Sequence, residues 1–145
     1  MDAYPHHYKV QAAAKTEGSV ALASERLPTL ASAPPQQFGG PGAQWSPEML
    51  LVASAVDCLI LTFRAIARAS KLPWLSLDCD AEGVLDRVEG VTRFTEIRTN
   101  ARLVLPAGGD AERAQRLLEK AEKTCLITCS LKAEAKLTTD VKIAE

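Results

Sequence analysis

The feature that most constrains the fold is a nearly continuous apolar segment, SPEMLLVASAVDCLILTFRAIARAS, at residues 46–70. It opens with Ser46-Pro47-Glu48, a helix-start signal, because serine caps, proline suits the first helical position and glutamate faces the positive helix end. Apolar residues then occupy almost every face, and a helix that is apolar all round is normally buried all round. Asp57 and Arg64 interrupt the segment, which argues against a membrane span. We predict the central helix of a soluble domain.

Segments with the alternating pattern of strands flank this helix on both sides. The predicted strands cover residues 8–14, 19–24, 27–30, 75–86, 92–105 and 133–143, and an amphipathic helix covers 111–124. Strands separated by single helices favour an α+β fold with antiparallel sheets packed on the central helix. We expect one domain over residues 1–145: N-terminal strands (1–32), a Pro/Gly-rich loop (33–45), the central helix (46–70) and a final hairpin, helix and strand (71–145). Because so apolar a helix exceeds what its own sheet can cover, we expect a homodimer.

Composition narrows the environment and the partners of the chain. The formal net charge is −1, and no basic stretch indicates nucleic-acid binding. The first ten residues lack the apolar core of a signal peptide, so we expect a cytoplasmic protein with no membrane partner and with free thiols. The four cysteines are Cys58, Cys79, Cys125 and Cys129. Their spacing is not that of a zinc site, and His6 and His7 have no cysteine nearby in the sequence, so we expect no metal and no cofactor.

Two cysteines stand apart by their context. Cys58 lies in the middle of the predicted central helix, and Cys125 closes the next helix. Peroxide reduction needs one thiolate to attack the O–O bond and a second thiol to convert the sulfenic acid into a disulfide. Burial penalises a thiolate, so this chemistry predicts a Lys or Arg near Cys58. Spacing alone favours the simpler interpretation that Cys58 is a small buried apolar residue.

Both cysteine segments resemble one protein family. Residues 45–58, WSPEMLLVASAVDC, resemble the N/S-P-E-x-L-L-x-A-x-x-x-C signature of the OsmC/Ohr family, and residues 121–131, AEKTCLITCSL, resemble its second-cysteine segment. The resemblance implies an intertwined α+β homodimer that reduces organic hydroperoxides, or hydrogen peroxide, in oxidative and osmotic stress defence. It implies that Cys58 is the peroxidatic thiol, Cys125 the resolving thiol and Glu48 the orienter of an active-site arginine. The implied reductant is a dihydrolipoyl protein or a small thiol.

The chain departs from the family pattern at two places. The early turn, where the hydroperoxide-resistance branch carries arginine, reads Lys15-Thr16-Glu17-Gly18. Lys15 and Arg26 are therefore the candidate activating cations, although lysine lacks the bidentate fork that arginine offers a carboxylate. The second departure is Leu126 after Cys125, where the best-known peroxidases of the family have proline.

The remaining candidates leave alternatives open. Phe38 and Trp45 fit either an apolar substrate pocket or an interface. Cys79 is in phase with core-facing residues, and Cys129 fits a bystander better than an alternative resolving thiol. Two other functions also fit the chain: a non-enzymatic module that binds an apolar small molecule at the dimer interface, and a cysteine redox sensor.

Overall fold

The computed structural model describes residues 1–145, which form two compact units, Met1–Leu50 and Leu51–Glu145. The first unit contains a three-stranded antiparallel sheet of β1 (Gln11–Ala13), β2 (Val20–Ala23) and β3 (Leu30–Ser32), in that order. A 3-10 turn at Gln36–Phe38 follows in the Pro/Gly-rich loop.

The third strand begins later than the sequence pattern predicts, at Leu30 instead of residue 27. The reason is a tight turn, in which the Leu27 N–H donates to the Ser24 carbonyl oxygen at 3.1 Å and Arg26 has a φ of 66°. A residue with positive φ cannot continue an extended strand. The turn therefore occupies part of the segment predicted as a strand.

The central helix α1 covers Pro47–Ala69, within one residue of each predicted end. At its start, the Ser46 hydroxyl oxygen accepts a hydrogen bond from the Met49 N–H at 3.2 Å, as the cap signal predicts. At its end, Lys71 has a φ of 54°, and the Leu72 N–H donates to the Ala67 carbonyl oxygen at 2.9 Å. This is a Schellman closure with lysine at the left-handed position, which glycine usually occupies.

The expectation that α1 is buried on all sides is wrong for the single chain. Its buried residues form one stripe at four-residue spacing: Ala55, Leu59, Phe63 and Ala67. Other apolar residues remain exposed, including Met49 at 56 % and Leu61 at 50 %. The mean hydropathy of α1 reaches 2.0, enough for a membrane span by length and composition, a criterion that core helices of soluble proteins also meet. The single chain therefore leaves a large apolar face of α1 uncovered.

The second unit is built on a three-stranded sheet of β4 (Ser76–Val88), β5 (Val91–Leu105) and β6 (Glu134–Ile143), in that order. β4 and β5 form a long antiparallel hairpin. Its two-residue turn places Glu89 and Gly90 at φ values of 50° and 79°, the positive angles of a type I′ turn.

The second sheet is mixed, which differs from the antiparallel arrangement that the sequence predicts. β6 runs parallel to β5, from the pair Glu96–Glu134 to the pair Leu105–Ile143. Two helices, α2 (Ala111–Thr124) and α3 (Leu126–Cys129), connect the two strands. Such a crossover returns the chain to the end at which β5 began, so that the next strand is parallel. The α+β class itself is confirmed.

The main core of the second unit lies between its sheet and helices α1 and α2. Its largest fully buried side chains are Phe63, Leu103, Leu105 and Leu118. A smaller cluster groups Ala55 of α1 with Ile97 of β5 and Ala133, and Ile127 of α3 packs against it. This smaller cluster seats the short helix α3 beside the middle of α1.

Phe63 is the residue of α1 whose truncation we expect to destabilise the fold most. Its side chain is fully buried, and its ring meets Trp74 edge-on at a centroid distance of 5.5 Å. The Phe63→Ala substitution is expected to lower the free energy of unfolding by about 3–5 kcal/mol, because it leaves a cavity in the core. Urea denaturation followed by circular dichroism measures the change. Phe38→Ala is the matched control, since Phe38 is 61 % exposed and its loss is expected to cost less than about 1 kcal/mol.

Candidate functional site

The structure brings the thiols of Cys58 and Cys125 together. Cys58 lies partly buried in the middle of α1, and Cys125 lies fully buried between α2 and α3. The two thiols lie close enough for each to affect the pKa of the other: Cys125 lowers the pKa of the Cys58 thiol, and Cys58 raises the pKa of the Cys125 thiol. The Cys125 thiol donates a hydrogen bond, at 3.9 Å, to the carbonyl oxygen of Ala55, which lies one helical turn before Cys58. Two cysteines distant in sequence therefore share one site.

The surroundings of Cys58 favour its thiolate. Burial by itself raises the pKa of the Cys58 thiol, but hydrogen bonds to the sulfur outweigh burial and hold this pKa below its ordinary value. The groups that lower this pKa, from the largest effect to the smallest, are the Ile127 backbone, the Cys125 side chain, the Thr62 side chain and the Leu126 backbone. The Thr62 Oγ1 atom lies 3.7 Å from the Cys58 Sγ atom. Cys58 is thus the more readily ionised thiol of the pair.

The surroundings of Cys125 favour its protonated form. Burial raises the pKa of the Cys125 thiol, and hydrogen bonds from the backbone and side chain of Thr128 only partly offset this effect. The neighbouring Cys58 raises the same pKa further, because a second negative charge beside a Cys58 thiolate is unfavourable. The site therefore pairs a thiol that ionises more readily with a thiol that keeps its proton to higher pH.

The four groups that lower the pKa of Cys58 carry no charge, so the expected Lys or Arg is not among them. Lys15 and Arg26 are exposed in the first unit, where the guanidinium of Arg26 lies 4.0 Å from the Glu25 carboxylate. Whether either cation activates Cys58 stays a prediction. A cation is not required to explain the lowered pKa, because N–H groups that point at a thiolate have the same effect.

Glu48 lies in the first turn of α1, and its Oε1 atom is buried without a hydrogen-bond partner in the chain. Within the single chain, therefore, no arginine donates a hydrogen bond to this Glu48 oxygen, as the resemblance implies one would. A buried carboxylate oxygen without a partner is costly, which makes Glu48 a position that needs a donor.

Phe38 and Trp45 are exposed in the first unit, at 61 % and 46 %. The Trp45 carbonyl oxygen accepts a hydrogen bond from the Ala33 N–H at 2.9 Å, which anchors the end of the Pro/Gly-rich loop. The cavity that reaches Cys125 measures about 10 Å³, which is room for about one water molecule. An organic hydroperoxide does not fit in that cavity.

The other two cysteines lie outside this pair. Cys79 lies partly buried on β4 and packs against the main core, as its phase in the strand predicts. Cys129 is exposed, and its thiol donates to the Lys123 carbonyl oxygen at 3.3 Å. Within residues 1–145, no group of three or more His, Cys, Asp and Glu side chains is arranged to hold a metal ion.

The sequence did not identify three groups that lower the pKa of the Cys58 thiol: the Thr62 hydroxyl and the backbone N–H groups of Leu126 and Ile127. Thr62 follows Cys58 by four residues on a helix, so the spacing alone was a sufficient signal. The two N–H groups have no signal of their own in the sequence, because every residue except proline carries one.

As pH rises, Cys58 is expected to become reactive towards an alkylating reagent before Cys125 does. Since the pKa of Cys58 is lowered and that of Cys125 is raised, Cys58 forms thiolate at a lower pH than Cys125 does. Treatment of reduced protein with iodoacetamide at a series of pH values, followed by peptide mapping, measures both profiles. The denatured protein, in which both thiols have lost these contacts, serves as the reference: the Cys58 profile is expected at lower pH than that reference and the Cys125 profile at higher pH. Modification of Cys125 before Cys58 would contradict the assignment.

Comparisons with known proteins agree with the resemblance. The family model of OsmC-like proteins matches residues 40–140. A relative from Bacillus subtilis (strain 168), the uncharacterised protein YmaD, is 27% identical over 112 residues, which cover 75% of each chain. A solved OsmC-like protein from Vibrio cholerae superposes with a TM-score of 0.85 at 16% identity, over 94% of this chain and 100% of that one. An organic hydroperoxide resistance protein from Elizabethkingia anophelis superposes with a TM-score of 0.75 at 20% identity, over 97% and 100%.

The structural matches have low sequence identity, so they show the fold and carry no residue roles. The family match is of a different kind, because it covers most of the chain and includes both cysteine segments. It confirms the resemblance drawn from those segments. The chain therefore belongs to the family of OsmC-like proteins.

Proposed function

We propose that this protein is a cytoplasmic thiol peroxidase that reduces organic hydroperoxides, or hydrogen peroxide, in oxidative and osmotic stress defence. The observation that carries the proposal is the pair of adjacent thiols with opposite pKa shifts, lowered for Cys58 and raised for Cys125. Such a pair supplies the two groups that the reaction needs: a nucleophile that ionises more readily than an ordinary thiol and a neighbouring thiol that keeps its proton to higher pH. The solved relative from Elizabethkingia anophelis is named an organic hydroperoxide resistance protein, which supports the same substrate class.

In the first step, the Cys58 thiolate attacks the terminal oxygen of the hydroperoxide. An S–O bond forms as the O–O bond breaks, and the alkoxide takes a proton and leaves as the alcohol. The Cys58 sulfenic acid remains. In the second step, the Cys125 sulfur attacks the Cys58 sulfur, a disulfide forms and water leaves with the Cys125 proton. An external dithiol of a dihydrolipoyl protein, or two molecules of a small thiol, then reduces the disulfide and is oxidised to a disulfide in turn.

We propose further that a second copy of the chain covers the exposed apolar face of α1. The motivating observation is the exposure of Met49 and Leu61 on a helix whose buried residues form only one stripe. An uncovered apolar face of this kind marks an interaction site. In that homodimer, the roles that the resemblance implies for Glu48, and the candidate roles of Lys15, Arg26, Phe38 and Trp45, remain predictions.

The proposal is tested by a thiol count. Reduced protein receives one equivalent of cumene hydroperoxide, is quenched within seconds and is mapped by peptide mass spectrometry. We expect a Cys58–Cys125 disulfide, with Cys79 and Cys129 still reduced. Four unreacted thiols would overturn the proposal.

A second candidate function is a module that binds an apolar small molecule, favoured by the uncovered apolar face of α1. It predicts a ligand that copurifies with the protein and is released on denaturation, together with thiols inert to peroxide. A redox sensor would differ from both, because it would form the disulfide once without repeated turnover in the presence of a dithiol.

A further inference from the structure

Thr62 lies one helical turn after Cys58 on α1, and its hydroxyl contacts the Cys58 thiol. The Thr62 Oγ1 atom is 3.7 Å from the Cys58 Sγ atom, within hydrogen-bond range for sulfur. Residues four positions apart lie on the same face of a helix, and helical side chains point back towards the preceding turn. The spacing of these two residues therefore brings a hydroxyl to the sulfur without a contribution from any other element of the fold.

The Thr62 hydroxyl is bonded differently from other hydroxyls on the helices. The hydroxyls of Ser54 on α1 and Thr124 on α2 donate to the carbonyl oxygens of Leu51 and Lys120, at 2.7 Å and 2.8 Å. Such a bond to the preceding turn is the usual one for a helical serine or threonine. Thr62 meets a sulfur atom instead, so its hydroxyl is committed to the thiol one turn before it.

This contact becomes stronger when Cys58 ionises. In the neutral state either group can be the donor, whereas a thiolate can only accept, so the Thr62 hydroxyl then donates. A hydrogen bond to a charged acceptor is stronger than one between neutral groups, and it favours the charged form. In agreement with this direction, the Thr62 side chain is one of the groups that lower the pKa of the Cys58 thiol.

No ammonium, guanidinium or carboxylate is among the groups that act on the pKa of Cys58. The titratable group that faces Cys58 from another element is Cys125, at the junction of α2 and α3. Asp57, the adjacent charged residue on α1, is exposed and is not among these groups. The hydroxyl of Thr62 therefore acts beside uncharged donors and one other thiol.

We propose that Thr62 is a positioning residue for the nucleophile, whose hydroxyl holds the Cys58 sulfur and donates a hydrogen bond to its thiolate. The inference rests on the proposed function for its catalytic meaning, because attack on an O–O bond needs a thiolate. It differs from activation by lysine or arginine, since the donor carries no charge and comes from the same helix as the thiol. This contribution requires neither a cation nor a second copy of the chain.

Three substitutions at position 62 separate the hydroxyl from the shape of the side chain. Thr62→Val replaces the hydroxyl by a methyl group and keeps the β-branch, and Thr62→Ala removes the hydroxyl with a residue that favours helix, which keeps the test valid if valine disturbs the packing. Thr62→Ser is the matched control, because it keeps the hydroxyl and loses only the methyl group. Circular dichroism of all three variants checks the fold.

The readout is the alkylation of Cys58 by iodoacetamide across a range of pH, followed by peptide mapping of the full chain. In Thr62→Val and Thr62→Ala, we expect the midpoint to rise by about 0.5–1 pH unit, the size expected for loss of one hydrogen bond. A thiolate of higher pKa is also more nucleophilic, so the rate should fall about twofold to threefold below the midpoint and rise by a similar factor at the high-pH plateau. In Thr62→Ser, we expect the wild-type profile.

An unchanged midpoint in Thr62→Val and Thr62→Ala would overturn the inference, because the hydroxyl would then contribute nothing to the thiolate. A shift in Thr62→Ser as large as that in Thr62→Val would also overturn it, since the methyl group would then be responsible. So would a loss of rate at every pH without a shift of the midpoint, which is the result expected of a purely structural role. None of these measurements uses peroxide. Absence of peroxide turnover in the wild type would therefore count against the proposed function alone.

Discussion

Replacement of Cys58 by serine is expected to abolish hydroperoxide turnover, with a loss of roughly a thousandfold or more. A serine hydroxyl does not ionise near neutral pH and is not a nucleophile for the O–O bond, so the hydrogen bonds around position 58 have no thiolate to stabilise. The fold is expected to persist, because Cys58 is only partly buried and a hydroxyl can still bond to Thr62. Consumption of cumene hydroperoxide with dithiothreitol as the reductant measures the effect.

The control for this variant is the same substitution at an exposed thiol. Cys129→Ser changes a cysteine outside the pair and is expected to retain turnover within about twofold, the small effect usual for an exposed residue. Circular dichroism of both variants checks the fold. If Cys58→Ser consumed hydroperoxide at the wild-type rate, Cys58 would not be the peroxidatic residue.

Replacement of Cys125 by serine is expected to separate the two chemical steps. The first step should proceed within a few-fold of wild type, because Cys58 attacks the peroxide and the serine hydroxyl can donate to the Ala55 carbonyl oxygen in place of the thiol. The second step should fail, because no sulfur remains beside Cys58 to form the disulfide. The Cys58 sulfenic acid then persists, and excess peroxide oxidises it irreversibly to the sulfinic acid. Quenched-flow mass spectrometry of the Cys58 peptide follows each species.

A thiol-dependent turnover at the wild-type rate in Cys125→Ser would contradict the resolving role of Cys125. The double variant Cys125→Ser/Cys129→Ser then decides whether Cys129 replaces it. The structure predicts that it does not, because Cys129 is exposed and its thiol points to the Lys123 carbonyl oxygen, outside the pair.

The local parts of the fold could be predicted from the sequence. The bounds of α1 were predicted to within one residue. Ser46 caps the start of the helix and the turn after Ala69 closes its end, both through hydrogen bonds to near neighbours in the chain. The bounds of α2 match the prediction, and Asp110 caps it by accepting a hydrogen bond from the Arg113 N–H at 3.0 Å. Caps of this kind act over three or four residues, and a sequence shows them directly.

The non-local parts could not be predicted in the same way. The parallel direction of β6 depends on the path of the crossover through α2 and α3, and alternation of residues along a strand is the same for both directions. The exposed face of α1 was also missed, because periodicity shows that a helix is apolar without showing what covers it.

For the candidate site, the sequence by itself determined the family, the two cysteine segments and the helix that carries Cys58. Only the tertiary structure decided which of the two thiols has the lower pKa. That difference arises where α3 packs beside the middle of α1 and brings the backbone of Ile127 and Leu126 near Cys58, which lowers the pKa of its thiol. The physical reason is that a thiol pKa depends on burial and on the direction of nearby donors, and backbone donors are common to almost all residue types.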